Sequence, residues 1–201
     1  MTSTEITKST PPDNISGEHS LAGHFLIAMP SLDDGFFNHA VTYLCEHDEN
    51  GSFGIIINQA TDITLKQVID EMSIPSEQDF DADQPVYIGG PVEQGRGFIL
   101  HRPTGNWASS LKVNDNIALT TSQDILRAIA NNEGPQDCIV ALGYAGWAAG
   151  QLEDEMAANT WLSCPAEEQI IFDTPVEQRW KAAAKLIGID LSLLSSDAGH
   201  A

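Results

Sequence analysis

VTYLCEHDENGSFGIIIN, residues 41–58, sets two apolar runs on either side of an Asn-Gly pair. Asn and Gly tolerate the positive φ angles of tight turns, so Val41 to His47 and Ser52 to Asn58 are predicted to be two strands of a β-hairpin. Side chains alternate along a strand. With a loop of two or four residues, Tyr43, Cys45 and His47 are therefore expected on the same face as Gly54, Ile56 and Asn58. A hairpin here, with no β-α-β rhythm elsewhere, points to an α+β fold. The sheet is expected to be curled and largely antiparallel or mixed, with helices flanking it.

Outward from the hairpin, Phe25 to Met29 is a compact buried strand stopped by Pro30, and Asp33-Asp34-Gly35 marks a turn in the loop that follows. Thr64 with Gln67 three residues on is a capping box, and Leu65, Val68, Ile69 and Met72 give the helix after it one apolar face. Ser76 to Gln84 reads as an acidic loop. Val86-Tyr87-Ile88 and Gly97 to His101 read as strands. Thr121 with Asp124 opens a second helix that Gly134-Pro135 stops, and Cys138 to Leu142 is a buried strand. A third helix is predicted over Gln151–Asn159, and short strands at Trp161–Cys164 and Gln169–Phe172. The last helix has Thr174 as cap, Pro175 at its first position, Glu177 closing the box and Gly188 at its end. Residues 1–20 are polar and Pro-bearing, and are expected to be a disordered tail before a single compact domain over 21–201.

The 201 residues carry nine Lys plus Arg against twenty-nine Asp plus Glu, a formal net charge of −20. Such a surface repels phosphate backbones, and the few basic residues form no stripe, so direct DNA binding is disfavoured. The three cysteines are widely spaced with no CxxC pair, which argues against a disulfide framework and a structural zinc site. No segment has the apolar length of a membrane span, and Met1 to Ser20 lacks the apolar centre of a signal peptide. These features fit a cytoplasmic protein without membrane, metal or cofactor.

Chemistry-bearing residues are concentrated in Gly143 to Glu155, GYAGWAAGQLEDE, where two large aromatics, three glycines, an amide and three carboxylates crowd thirteen positions. Glycines admit a close neighbour, and Tyr and Trp offer an apolar body with a polar tip. The run reads either as the wall of a pocket, with Gln151 and Glu155 one helical turn apart beside Trp147 and Trp161, or as core aromatics and helix-start carboxylates. Cys45 and His47 resemble a nucleophile and base in composition, or a packed thiol beside a histidine at a strand's wet end. Gly89-Gly90-Pro91 and Gly95-Arg96-Gly97 could form an anion-holding nest or simply tight turns.

These motifs together resemble the YqgE/AlgH family of bacterial proteins. The resemblance rests on GHFLIAMP (23–30), Glu46-His47, Gly54 to Asn58, Gly89-Gly90-Pro91-Val92, Leu100-His101, GYAGWAAGQLE (143–153), Trp161, Arg179-Trp180 and the terminal Gly199-His200-Ala201, and covers about residues 21–201. Position 24 is His where the family's first strand more usually has an aliphatic residue. The resemblance implies a compact α+β domain with a curled sheet. It brings no established activity or cofactor, and members are often labelled transcriptional regulators.

The expected function is a binding or regulatory module that recognises an unknown small molecule or protein segment in a cleft and acts on transcription only indirectly. The predicted lining is His47, Asn58, Gly89, Gly90, His101, Tyr144, Trp147, Gln151, Glu155 and Trp161. The alternative is a hydrolase or transferase using His47 or His101 as general base with Glu155 as its acid partner. That alternative needs those groups within reach of one bound atom.

Overall fold

The computed structural model describes residues 20–32, 35–76 and 80–189. The expectations for the N-terminal tail before Ser20, for Asp33-Asp34, for the middle of the acidic loop and for Gly199-His200-Ala201 lie outside the described residues. Ten strands and five helices follow in the order β1 (His24–Ala28), β2 (Val41–Asp48), β3 (Gly51–Ile56), β4 (Ala60–Thr64), α1 (Leu65–Glu71), β5 (Pro85–Ile88), β6 (Val92–Arg102), β7 (Ser110–Lys112), β8 (Ala118–Thr120), α2 (Gln123–Ala130), β9 (Asp137–Ala148), α3 (Gln151–Ala157), β10 (Trp161–Pro165), α4 (Glu168–Phe172) and α5 (Arg179–Leu186). The strands form one curled sheet in the order β10-β1-β2-β3-β9-β6-β8-β7, antiparallel along this path. The only parallel pairing among the described residues joins β5 to β9, and β4 hangs on β5. The expected α+β architecture is therefore observed, with a mixed sheet that is antiparallel apart from one pairing.

Strand alternation divides the core. Phe25, Ile27, Tyr43, Ile55, Leu100 and Ala141 face the side covered by α4 and α5. Leu26, Ala28, Leu44, Ile56 and Ala145 face the other side, where α3 lies. At the far end of that side Ile99 and Val140 meet α1 and α2. The capping box of α1 is present in full, with the Thr64 side chain and the Gln67 backbone bonded in one direction and the Gln67 side chain and the Thr64 backbone in the other.

The hairpin turns where Asn-Gly marks it, but Asp48 pairs with Gly51 across a two-residue turn, and the Asp48 carboxylate accepts from the Asn50 N–H at 2.7 Å. A β-bulge between Leu44 and Glu46 corrects the expected face assignment. Tyr43 pairs with Ile55 and Leu44 with Gly54, while beyond the extra residue Glu46 pairs with Phe53 and His47 with Ser52. Tyr43 and Cys45 therefore share the α4/α5 side, and His47 emerges on the opposite one. One inserted residue reverses every later side chain.

Four other expectations change, the first being that Ser122 rather than Thr121 stands at the cap of α2. Gln169–Phe172 is helical within α4, not a strand; a three-residue apolar run with two β-branched residues suits either state, and packing of Ile170 and Ile171 onto the sheet decides it. Thr174 does not cap α5: its hydroxyl donates back to the Gln169 carbonyl, and a 3-10 turn at Val176–Gln178 precedes the helix. Gly95-Arg96-Gly97 forms no nest but runs within β6.

Gly89, Gly90 and Gly143 sit where one edge of β9 changes partner, from β5 at Ala141 and Leu142 to β3 at Ala145 onwards. A Cβ on Gly89 would stand 2.1 Å from the Gly143 carbonyl oxygen, and one on Gly90 would stand 2.1 Å from the Tyr144 carbonyl carbon. Gly90, at φ +155°, also has a backbone that side chains rarely adopt. Three backbones cross here, and only glycine lets them.

Candidate functional site

The GYAGWAAGQLEDE run divides between β9 and α3, and its polar groups turn on one another. Glu155 accepts from the Trp147 indole N–H at 2.9 Å and from the Trp161 indole N–H at 2.8 Å through one oxygen, and from Gln151 at 2.9 Å through the other. Gln151 in turn accepts the Ala148 N–H at 3.0 Å. The two indoles meet edge to face with centroids 5.9 Å apart, and Phe37 closes against both. Trp147 and Trp161 are 6% and 3% exposed. The carboxylate thus fastens α3 to the ends of β9 and β10.

His47 is also committed. Its Nδ1 accepts the Leu21 N–H at 2.7 Å, so the ring proton sits on Nε2 and is donated to Glu153 at 2.7 Å. That hydrogen bond holds the Glu153 carboxyl below its usual range. His101 is fully buried in β6 between the Thr120 hydroxyl at 2.9 Å and the Pro103 carbonyl at 3.0 Å, and burial lowers its pKa. Asn58 accepts from the Val41 N–H and donates to the His39 carbonyl, each at 2.8 Å. Neither His47 nor His101 bonds to Glu155, so the base–acid pairing that the enzyme alternative requires is not assembled. The Cys45 thiol is buried, and burial pushes its pKa far up, the reverse of what a nucleophile needs. Among the described residues there is no group of three or more His, Cys, Asp or Glu side chains that could hold a metal ion, and no helix long and apolar enough to cross a membrane.

The predicted residues do not converge on one concave surface. A cavity of about 900 Å³ opens where the hairpin end of β2 and β3 faces β7 and β8 across the inner side of the sheet, and of the ten predicted residues only Tyr144 and Trp147 border it. The Trp147 indole itself packs on the opposite side of the sheet. His47, Asn58, Gly89, Gly90, His101, Gln151, Glu155 and Trp161 lie elsewhere, holding turns, strand junctions and α3.

Sequence reasoning missed most of what does line the cavity. Phe53, Phe98 and Tyr144 form a triangle of rings with centroids 4.9 to 5.7 Å apart. Arg96 places its guanidinium 5.2 Å from the Phe98 ring centroid and pairs with Glu93 at 3.0 Å. Glu46, Ser110, Leu111 and Thr121 complete much of the wall. Phe53 and Phe98 are isolated aromatics in unremarkable strands, and β7 carries only three residues. The signal that could have found the cavity is alternation through the bulge, which carries Glu46 and Phe53 to the same side.

The model of the AlgH-like family matches residues 25–192. A UPF0301 protein of Thioalkalivibrio sulfidiphilus is 54% identical over 187 residues, 93% of this chain and 100% of that one. The solution structure of the AlgH protein from Pseudomonas aeruginosa is similar at a TM-score of 0.74 and 43% identity, covering 97% of this chain and 100% of that chain. A crystal structure of a Corynebacterium diphtheriae protein, 22% identical, shares the fold at a TM-score of 0.69 over 90% of this chain and 93% of that one.

Proposed function

The chain belongs to the AlgH-like family, and from that premise we propose that it is a binding and regulatory module that takes a small molecule or short peptide segment into the aromatic cavity on the inner side of its sheet. The observation that carries this reading is the cavity of about 900 Å³ floored by Phe53, Phe98 and Tyr144. Its size is that of small-molecule sites, and an apolar floor with a few polar groups at the wall is their usual make-up. The rings supply apolar and stacking area, while Arg96, Glu46 and the Thr121 hydroxyl supply orientation.

Binding is favoured over catalysis because the histidines proposed as bases are engaged in structural hydrogen bonds away from this cavity. With a net charge of −20, action on transcription would run through a ligand or a protein partner rather than an operator. The test is a thermal-shift screen of the full chain against a metabolite library, since a ligand that binds only the folded state raises its apparent stability. Hits should perturb the amide NMR signals of Phe53, Phe98 and Tyr144, and Leu111→Asp, which puts a charge in the wall, should abolish them. A screen in which no hit perturbs the Phe53, Phe98 and Tyr144 signals would overturn the proposal.

A further inference from the structure

Arg179 opens α5 and is 5% exposed. Its Nε donates to the Thr174 carbonyl at 2.9 Å, its Nη1 donates to the Ile57 carbonyl, and its Cζ lies 5.4 Å from the centroid of the Tyr87 ring. Among the described residues it forms no ion pair. Arg102 is the contrast. It is held by Asp137 at 2.8 Å, Asp173 at 3.0 Å and Glu168 at 3.5 Å. A guanidinium stays protonated when buried, so burying one without an ion-pair partner is unfavourable, and its carbonyl partners offset that only in part. Two carbonyls and the Tyr87 hydroxyl occupy at most three of its five N–H donors, which leaves two for a further acceptor.

This guanidinium lines a second cavity of about 510 Å³, separate from the aromatic one, together with Asp81, Gln84, Tyr87, Asn132 and Gln136. Asp137 also borders it, but its charge is taken up by Arg102. Asp81 has no ion-pair partner among the described residues, and it does not pair with Arg179. One cavity therefore presents a cation and an anion that each lack an ion-pair partner among the described residues, together with several amides. We infer that it binds a small zwitterion, an α-amino acid or close relative, with the carboxylate on Arg179 and the ammonium group at Asp81. A planar carboxylate matches the fork of a guanidinium. A phosphate matches less well, because its second negative charge would face Asp81 and Asp137.

The experiment titrates the ¹⁵N-labelled full chain with each common amino acid, and with acetate, methylamine and inorganic phosphate as fragments. One or a few amino acids should bind at least about tenfold more tightly than acetate or methylamine, shifting the amides of Gln84, Asn132, Gln136 and Cys138 while leaving those of Phe53 and Tyr144 in place. Asp81→Asn removes a carboxylate with no ion pair to lose, so it should keep the thermal midpoint and weaken amino-acid binding at least about tenfold. Arg179→Lys keeps the charge without the fork and should weaken acetate and amino acids together; if it fails to fold, the Asp81→Asn comparison still decides. Absence of any amino-acid shift at about 10 mM, acetate or phosphate binding as tightly as the amino acids, or wild-type affinity in Asp81→Asn would each overturn the inference.

Discussion

Two regions of this protein are rich in aromatic and polar side chains, and they use them in opposite ways. Around Glu155 every group has a partner: two indole N–H groups, an amide and a carboxylate close a ring of hydrogen bonds between β9, α3 and β10. Around Phe53, Phe98 and Tyr144 the rings touch one another but leave a cavity, and the polar groups at its wall are exposed or weakly paired. The first region is the richer one in sequence, and in the structure its chemistry is spent on holding the fold. A site is marked by unsatisfied capacity, not by density of functional groups.

The largest effect that would test this division lies at the glycine crossing beside the first region. Gly90→Ala drives a methyl group into the Tyr144 backbone and adds strain at φ +155°. It should cost more than about 4 kcal/mol or prevent folding. Urea denaturation measures it, and a loss below about 1 kcal/mol would mean that β5 and β9 part easily and that Gly90 is free for the ligand role first expected of it.

Next comes the cage itself. Glu155→Ala strands two buried indole donors, each worth about 1 to 3 kcal/mol when left unmade, so unfolding free energy should fall by about 3 kcal/mol. Glu155→Gln keeps an oxygen for one or both indoles and should lose less than half of that. A neutral Glu155→Ala would return this carboxylate to the list of candidates for binding or catalysis.

Much of the fold was legible because local signals agreed with tertiary need. The Asn-Gly turn, the Thr64–Gln67 box and the Leu65–Ile69 stripe all lie where the sequence puts them. The strands β4, β7 and β8, of three to five residues, carry no period long enough to detect. The candidate site was less legible for two physical reasons. The bulge at Cys45 leaves no mark in composition, yet it moves His47 to the opposite side of the sheet from Tyr43. Thr120 for His101, Trp161 for Glu155 and His39 for Asn58 lie 19, 6 and 19 residues away, so whether each group is satisfied is a tertiary fact.

A smaller effect follows from His101. Burial lowers its pKa, so the folded state resists taking up a proton that the unfolded chain accepts near pH 6.5. Below that value the unfolded state binds more protons, and stability declines as pH falls until His101 itself titrates; above it this contribution is flat. Stability of the wild type minus that of His101→Gln, measured from pH 8 down to about 5, should fall as the pH drops. A difference independent of pH would show an accessible imidazole, which is what a general-base role requires.

The smallest expected effect on stability is at the cavity wall, and it is there that the comparison is sharpest. Arg96 and Glu93 are each about half exposed, and an exposed pair of this kind contributes about 0 to 1 kcal/mol. Glu46 is exposed and has no ion pair among the described residues. Arg96→Ala and Glu46→Gln should therefore leave unfolding free energy within about 0.5 kcal/mol of the wild type, although both line the cavity as directly as Tyr144 does. If these groups exist to orient a ligand, the same two substitutions should weaken whatever compound the thermal-shift screen returns while the fold is unchanged. A cost near that of Glu155→Ala would place them with the cage instead, as parts of the scaffold, and the distinction between satisfied and unsatisfied chemistry would not separate the two regions.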